Sequence, residues 1–340
     1  EKIPTDSAEL KNVKKAFLSK LKLRNSTVSL IADRVENEVA YGSYFFLNKL
    51  PTKHSIGSIT ASDVNKLIHE VVRPDSFIIA VSGDFEKVKM KKELTEFISK
   101  WPTTEEVRLQ LKQLPSKMKP QGIYIYNEPG QSQAAIRVIL PGITKASKDY
   151  FPLIMVNKVF GMGMNSRLFN SVRTKAGLTY HIQSQLSAMP YYQGPLVISC
   201  QVKVGNVVKA IELIRKEIQL LNQGGLNKSD LDSVKKALTL QFSHLFAKSE
   251  GIRFMLLRAS FNGDFDRDEK YYENWQSNIE RVSLSDVDGV IKRYLDPKAM
   301  RVVIVGDVKK MTNLSSLRNI GEFKLSPRVD PETLEKITSL

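Results

Sequence analysis

Two distant stretches of this chain repeat one another without a gap, ITASDVNKLIHEVVRPDSFIIAVSGD from Ile59 and VSLSDVDGVIKRYLDPKAMRVVIVGD from Val282. Ser62, Asp63, Val64, Ile68, Pro74, Gly83 and Asp84 recur as Ser285, Asp286, Val287, Ile291, Pro297, Gly306 and Asp307, at an offset that never changes. Each stretch reads as a capped helix, a proline break, a strand and a Gly-Asp stop. Upstream, Val13-Lys14-Lys15-Ala16 recurs as Val234-Lys235-Lys236-Ala237, each opening a long amphipathic helix. So long a period marks a duplicated domain and not a solenoid unit. In the second copy this helix follows roughly 110 residues of strands and helices, whereas in the first it stands near the start, so subtraction leaves the first copy short of roughly 100 residues. The chain is therefore expected to be one and a half copies of a two-copy protein. The expected divisions are 1–102 for the later part of the first half, 103–121 for a charged, proline-punctuated linker, 122–307 for a complete second half and 308–340 for an extension.

Within the second copy, GIYIYN and AAIRVIL read as strands, followed by helices over 148–160 and 166–175 and strands over 178–186 and 195–204. Val207, Ile211, Ile214, Ile218 and Leu221 then mark one apolar helical stripe, stopped by Gly224-Gly225, and Asn227 or Ser229 caps the next helix,. Strands grouped early, helices grouped late and a closing strand over 300–305 give an α+β fold. The single cysteine, Cys200, excludes an internal disulfide and a Cys-based zinc site, and its place in LVISCQV reads as a small buried hydrophobe,. Basic residues exceed acids by 15 but are spread along the chain, which fits a solvated basic surface and not a nucleic-acid site,. No apolar run approaches the length needed to cross a bilayer. The chain begins at Glu1 and not Met; read as a processed start, this gives a periplasmic location as the expectation.

The chemistry concentrates in GMGMNSRLFNSVRTKAGLTY, residues 161–180. A glycine-rich turn leads into a short helix capped at Asn165 or Ser166; Gly177 supplies a left-handed stop, and a strand follows. Arg173 falls on the last helical turn and Tyr180 near the start of the strand, so both polar ends can meet at one spot. A guanidinium and a phenol together can donate hydrogen bonds to a peptide carbonyl or to an oxyanion forming on it. The same pattern also reads as a helix-terminal cation and a core tyrosine in phase with Leu178 and Ile182.

Ser166-Arg167-Leu168-Phe169, Arg173, Gly177-Leu178 and Tyr180 together resemble the corresponding segment of the M16 zinc peptidases, the pitrilysin, insulinase and mitochondrial processing peptidase group, with every spacing in place. The resemblance implies tandem half-domains of the LuxS/metallohydrolase-like kind, each a β-sheet with helices on one face. It also implies that Arg173 and Tyr180 are substrate and transition-state contacts that reach a peptide held at a zinc site on another half-molecule.

Active halves of that family bind zinc through H-x-x-E-H and a later glutamate, a three-ligand site that leaves a position for water. His54, His69, His181 and His244 form no such pair, and His69-Glu70 meets Arg73 where a zincin helix would need its second histidine,. Alignment of the helix around Val13-Lys14-Lys15-Ala16 with the family's ligand helix puts Lys20 at the third ligand, and a protonated ammonium has no lone pair to offer. No metal and no self-sufficient catalytic residue is expected in this chain; zinc is expected in a catalytic M16 partner carrying H-x-x-E-H. The reading is a non-catalytic subunit of a bacterial two-chain peptidase acting on unstructured peptides, which would add as a strand along a sheet edge. Two alternatives remain: the C-terminal fragment of a self-sufficient M16 metalloendopeptidase, and a structural subunit resembling the core proteins of the cytochrome bc1 complex.

Overall fold

The computed structural model describes residues 7–101 and 117–325; the expected linker up to residue 116 and the extension beyond 325 lie outside the described residues. In chain order the helices of the first repeat are α1 (Ala8–Lys22), α2 (Val28–Tyr41), α3 (Lys53–Ser58), α4 (Ala61–Val71) and α5 (Lys87–Ser99). Then come β1 (Gly122–Asn127), β2 (Gln133–Leu140), α6 (Tyr150–Gly161), a π-helical turn (Phe169–Lys175), β3 (Ile182–Leu186) and β4 (Leu196–Lys203). The chain continues with α7 (Val207–Gly224), α8 (Lys228–Leu245), α9 (Ser249–Phe261), α10 (Asp264–Arg267), α11 (Tyr271–Arg281), α12 (Leu284–Tyr294), β5 (Arg301–Gly306) and β6 (Phe323–Leu325).

These elements form two compact units, one gathering residues 7–22, 51–101 and 239–274, the other 23–50, 117–238 and 275–325. The units cut across the division by repeat, because each takes in a helical piece of the opposite copy: α2 belongs to the sheet-bearing unit and α9 to the other.

The second unit is built on one mixed sheet of order β3-β4-β2-β5-β1-β6. β1 runs parallel to β5 and β6, while β2 is antiparallel to β5 and β4, and β4 to β3. Side chains alternate between the faces. Ile136, Val138, Ile198, Cys200, Val302 and Ile304 point into a large core shared with α6, α7, α8 and α12, and the expected stripe of α7 from Val207 to Leu221 is buried there. Gly225, at φ +64, ends α7, and the Asn227 side chain accepts from Asp230 N–H at 2.8 Å to start α8. Ala135, Ile139, Val197, Val303 and Val305 face the other way, onto Val28, Ile31, Ala32, Val35 and Val39 of α2. Helices were expected on one face of each sheet; α2 covers part of the second face as well. Its apolar positions recur at three and four residues, so it presents one stripe to the sheet, and each fully buried branched side chain contributes roughly 1.5–3 kcal/mol.

The first unit is helical. α1 is tied to α3 by Lys14 Nζ, which donates to Gly57 O at 2.8 Å. The repeat is visible at its caps. Thr60 and Asp63 form a reciprocal capping box at α4, Ser283 and Asp286 form the same box at α12, and each helix leads to a 3₁₀ turn, Pro74–Ser76 and Pro297–Ala299. The expected strand over 77–81 is the point of departure: it joins no ladder among the described residues, and Phe77, Ile78 and Ile79 are half-exposed. The segment is held instead by side chains: the Phe77 ring packs edge-on against Trp101 at 5.0 Å, and Ser82 donates to Ser249 O at 2.7 Å and accepts from Arg253 Nη1 at 3.2 Å on α9.

Candidate functional site

The segment carrying Arg173 and Tyr180 is held at both ends. Upstream, α6 ends at Gly161 against β3, so closely that a Cβ at Gly161 would overlap Ser184; only glycine permits the approach,. Ser184 Oγ meanwhile donates to Asn157 Oδ1 at 2.6 Å. After Gly163 turns the chain at φ +100, Ser166 Oγ donates to Gly163 O at 2.7 Å and accepts from Phe169 N–H at 3.4 Å. This is the expected cap. Leu168 and Phe169 sink into the core, and Arg167 Nη2 lies 3.5 Å from both Gly225 O and Asp230 Oδ2 at the junction of α7 and α8. The Ser-Arg-Leu-Phe run thus anchors the turn that presents Arg173.

That turn is wider than the α-helix expected over 166–175. Ala176 N–H bonds to Ser171 O, five residues back, at 3.2 Å, and Leu178 N–H reaches Val172 O at 3.1 Å. Gly177 closes it at φ +63, its N–H on Arg173 O at 3.0 Å. Such π-helical turns are rare and concentrate at functional sites. β3 begins at Ile182, so Tyr180 precedes the strand instead of lying within it.

The structure brings the two candidate residues together. The Arg173 guanidinium carbon lies 4.5 Å from the centroid of the buried Phe169 ring and 5.2 Å from that of Tyr180. Contacts of this kind contribute roughly 0.5–1 kcal/mol each at exposed sites and leave the N–H donors unused. Tyr180 is 87 % exposed, which rules out the core-tyrosine reading. Among the described residues, neither the guanidinium of Arg173 nor the phenol of Tyr180 has a hydrogen-bonding partner or a carboxylate beside it.

Tyr180 lines an open cleft of about 810 Å³ on the α2 face of the sheet, with Thr27 and Ser29 at the start of α2, Arg137 of β2, and Ser199, Gln201 and Lys203 of β4. The Thr179 hydroxyl holds the entry to β3 by donating to Gln201 O at 2.6 Å. Below it, Arg137 is buried and pins α2 to the sheet, with Nη2 2.8 Å from Ser29 Oγ and 2.7 Å from Asp33 Oδ1, and Nε 3.3 Å from Glu36 Oε2. Asp33 takes the shorter bond, and burial together with the Asp33 charge outweighs the pull of Arg137 on Glu36, whose carboxyl is pushed up to about 7,. Sequence reasoning missed this cluster; its signal was a single arginine in the otherwise apolar strand AAIRVIL. Cys200 is buried as expected, and burial raises its thiol to about 12, so it is no nucleophile at neutral pH,.

Among the described residues, no three His, Cys, Asp or Glu side chains come together as a metal-binding group. Lys20 is exposed on α1, its ammonium 5.6 Å from the Phe17 ring. Among the same residues no helix is long and apolar enough to cross a membrane.

Comparison with known proteins fits this geometry. The family described as "Peptidase M16 inactive domain" matches residues 58–238, just over half of the chain. Two Bacillus subtilis (strain 168) proteins are similar. "Probable inactive metalloprotease YmfF" is 23 % identical over 269 residues, 78 % of this chain and 59 % of that protein. "Uncharacterized zinc protease YmxG" is 23 % identical over 289 residues, 85 % of this chain and 68 % of that protein. The chain thus spans little more than half the length of the first of these. In fold it is similar to a solved peptidase M16 inactive domain from Pseudomonas fluorescens, with a TM-score of 0.74 at 20 % identity, covering 89 % of this chain and 72 % of that one. With the motif of residues 166–180 inside the matched span, the chain is a member of the peptidase M16 inactive-domain family.

Proposed function

We propose that this chain is the non-catalytic partner in a zinc-dependent M16 peptidase, and that Arg173 and Tyr180 donate hydrogen bonds to the scissile carbonyl of a peptide held at the zinc of a catalytic subunit carrying H-x-x-E-H. The observation that carries this reading is the convergence of an exposed phenol and a guanidinium at 5.2 Å with their donors uncommitted. They stand beside β3, which among the described residues is an edge strand paired with β4 alone and offers its other side to an extended chain,. The zinc of the partner would polarise the carbonyl and supply the attacking water. This chain's own residues would orient the peptide along β3 and hold the charge that forms on its carbonyl oxygen. A family described as an inactive domain and a relative named a probable inactive metalloprotease accord with the division of labour.

The test is reconstitution with an H-x-x-E-H subunit and an unstructured peptide. Arg173→Ala and Tyr180→Phe should each lower kcat by about 10² to 10³, the loss typical of one oxyanion-type donor, with association and circular dichroism unchanged. Normal turnover in the double variant would reject the role. The isolated chain should hydrolyse nothing, and elemental analysis after dialysis should find no stoichiometric zinc.

A further inference from the structure

At the other end of β3 from Tyr180 lies a group of rings that the chemistry above does not use. Tyr192, in the loop between β3 and β4, packs edge-on against Tyr41, Phe45 and Phe46, with centroid distances of 5.7, 5.0 and 5.8 Å. Tyr41 and Phe45 are buried, but Phe46 and Tyr191 remain 42 % and 48 % exposed. These rings sit on the same face of the sheet as the cleft. Val197, under the rings, and Ser199 and Gln201, in the cleft, are alternate residues of β4 and so share one face,. Gln183 and Gln185 of β3, opposite Ser199 and Val197, complete the floor between them and are both exposed.

The geometry points to a second anchor for the extended peptide: an exposed apolar patch at Phe46 and Tyr192, flanked in the chain by Tyr191, that takes one aromatic or large aliphatic side chain five or six residues along the bound strand from the bond held at Arg173 and Tyr180. The spacing follows from β3 itself, since about five residues at roughly 3.4 Å each separate Tyr180 from the level of Gln185. The exposed floor between the two ends is amide and hydroxyl, from Gln183, Gln185 and Ser199, which hydrogen-bonds without regard to sequence, and Arg137 in the cleft is already tied to Ser29, Asp33 and Glu36. Discrimination therefore falls to the ring cluster, where Phe46 is exposed against Tyr192 and Tyr191, the next residue in the chain, is exposed as well. The cluster's place beyond the end of β3, in line with the open strand edge, selects an extended peptide as its occupant. This inference rests on the proposed peptide-binding role, but its test separates from the test of that role.

Two arms decide it. In the first, a Ser/Gly-rich fluorescent peptide carrying one Phe is titrated into the isolated chain by anisotropy. Replacing that Phe by Ser should weaken binding about tenfold, equivalent to about 1.4 kcal/mol, and the difference should vanish in Phe46→Ser/Tyr191→Ser. Both substituted side chains are half-exposed, so the fold is expected to survive; should it not, the Phe-to-Ser comparison on the unaltered chain still decides whether an apolar anchor exists. In the second arm, the Phe is moved stepwise along the peptide in the reconstituted complex. The cleaved bond should follow at a fixed spacing of five or six residues, with KM and not kcat responding. Equal affinity for the Phe and Ser peptides, or cleavage indifferent to where the Phe stands, overturns the proposal even if Arg173→Ala abolishes turnover; a tenfold preference that persists while Arg173→Ala has no effect overturns only the catalytic role.

Discussion

The two copies of the helix-turn-strand pattern begin alike and end differently. α4 and α12 share a capping box and a following 3₁₀ turn in register, yet α12 buries Val287, Val290 and Ile291, whereas α4 buries only Ala61 among the described residues. Beyond the turn, 301–306 becomes the strand between β1 and β2, while 77–81 joins no ladder among the described residues. Caps and turns are settled by side chains three residues away, so they form wherever the sequence provides them. A strand is settled by its neighbours, so the same apolar run becomes one only where two edges receive it.

The sharpest way to break this comparison is a matched pair of truncations. Ile291→Ala, at a site 1 % exposed, should cost about 2–5 kcal/mol by denaturant titration, and Ile68→Ala, the equivalent residue at 37 % exposure, under about 1 kcal/mol,. Equal costs would mean that the two copies are packed alike.

A smaller effect tests the helix that leaves its own repeat. Glu36 on α2 has its folded carboxyl raised from 4.5 to about 7. The folded state therefore binds the proton more tightly, and the associated stability is fully present below pH 4.5 and lost as pH rises to about 7. Glu36→Gln should stabilise the sheet-bearing unit by about 1–3 kcal/mol at pH 8, with little effect at pH 4, in urea titrations at the two values. The opposite sign at pH 8 would show that Arg137 binds Glu36 as strongly as it binds Asp33.

The least effect should be the same in both copies. Thr60→Ala and Ser283→Ala each remove one cap and should each cost about 1 kcal/mol, measured against their own unit's unfolding transition. A large disparity would remove the claim that caps are local.

The pattern of hits and misses follows from the same physics. The cap at Ser166, the stop at Gly177, the stripe of α7 and the meeting of Arg173 with Tyr180 were legible because each depends on residues close in sequence. The π-helical turn was not, since a widened turn leaves the apolar spacing of Leu168, Phe169 and Val172 almost unaltered. Nor was the placement of α2 in the opposite unit: an amphipathic helix announces that it has a buried face, but not which sheet will cover it. Arg137 escaped for a related reason. A lone charge in an apolar strand requires a partner, and Asp33 and Glu36 lie a hundred residues upstream.

The position of β5 also has a consequence for biosynthesis. β1 and β2 leave the ribosome long before the strand that separates them, because β5 is made after α7 to α12. During that interval the largely buried apolar strands β1 and β2 await a common neighbour, and premature closure of one onto the other would exclude it. Nascent chains halted before residue 301 should therefore be the species most prone to aggregate and most dependent on chaperones, and completion of RVVIVG should be the step that commits the sheet.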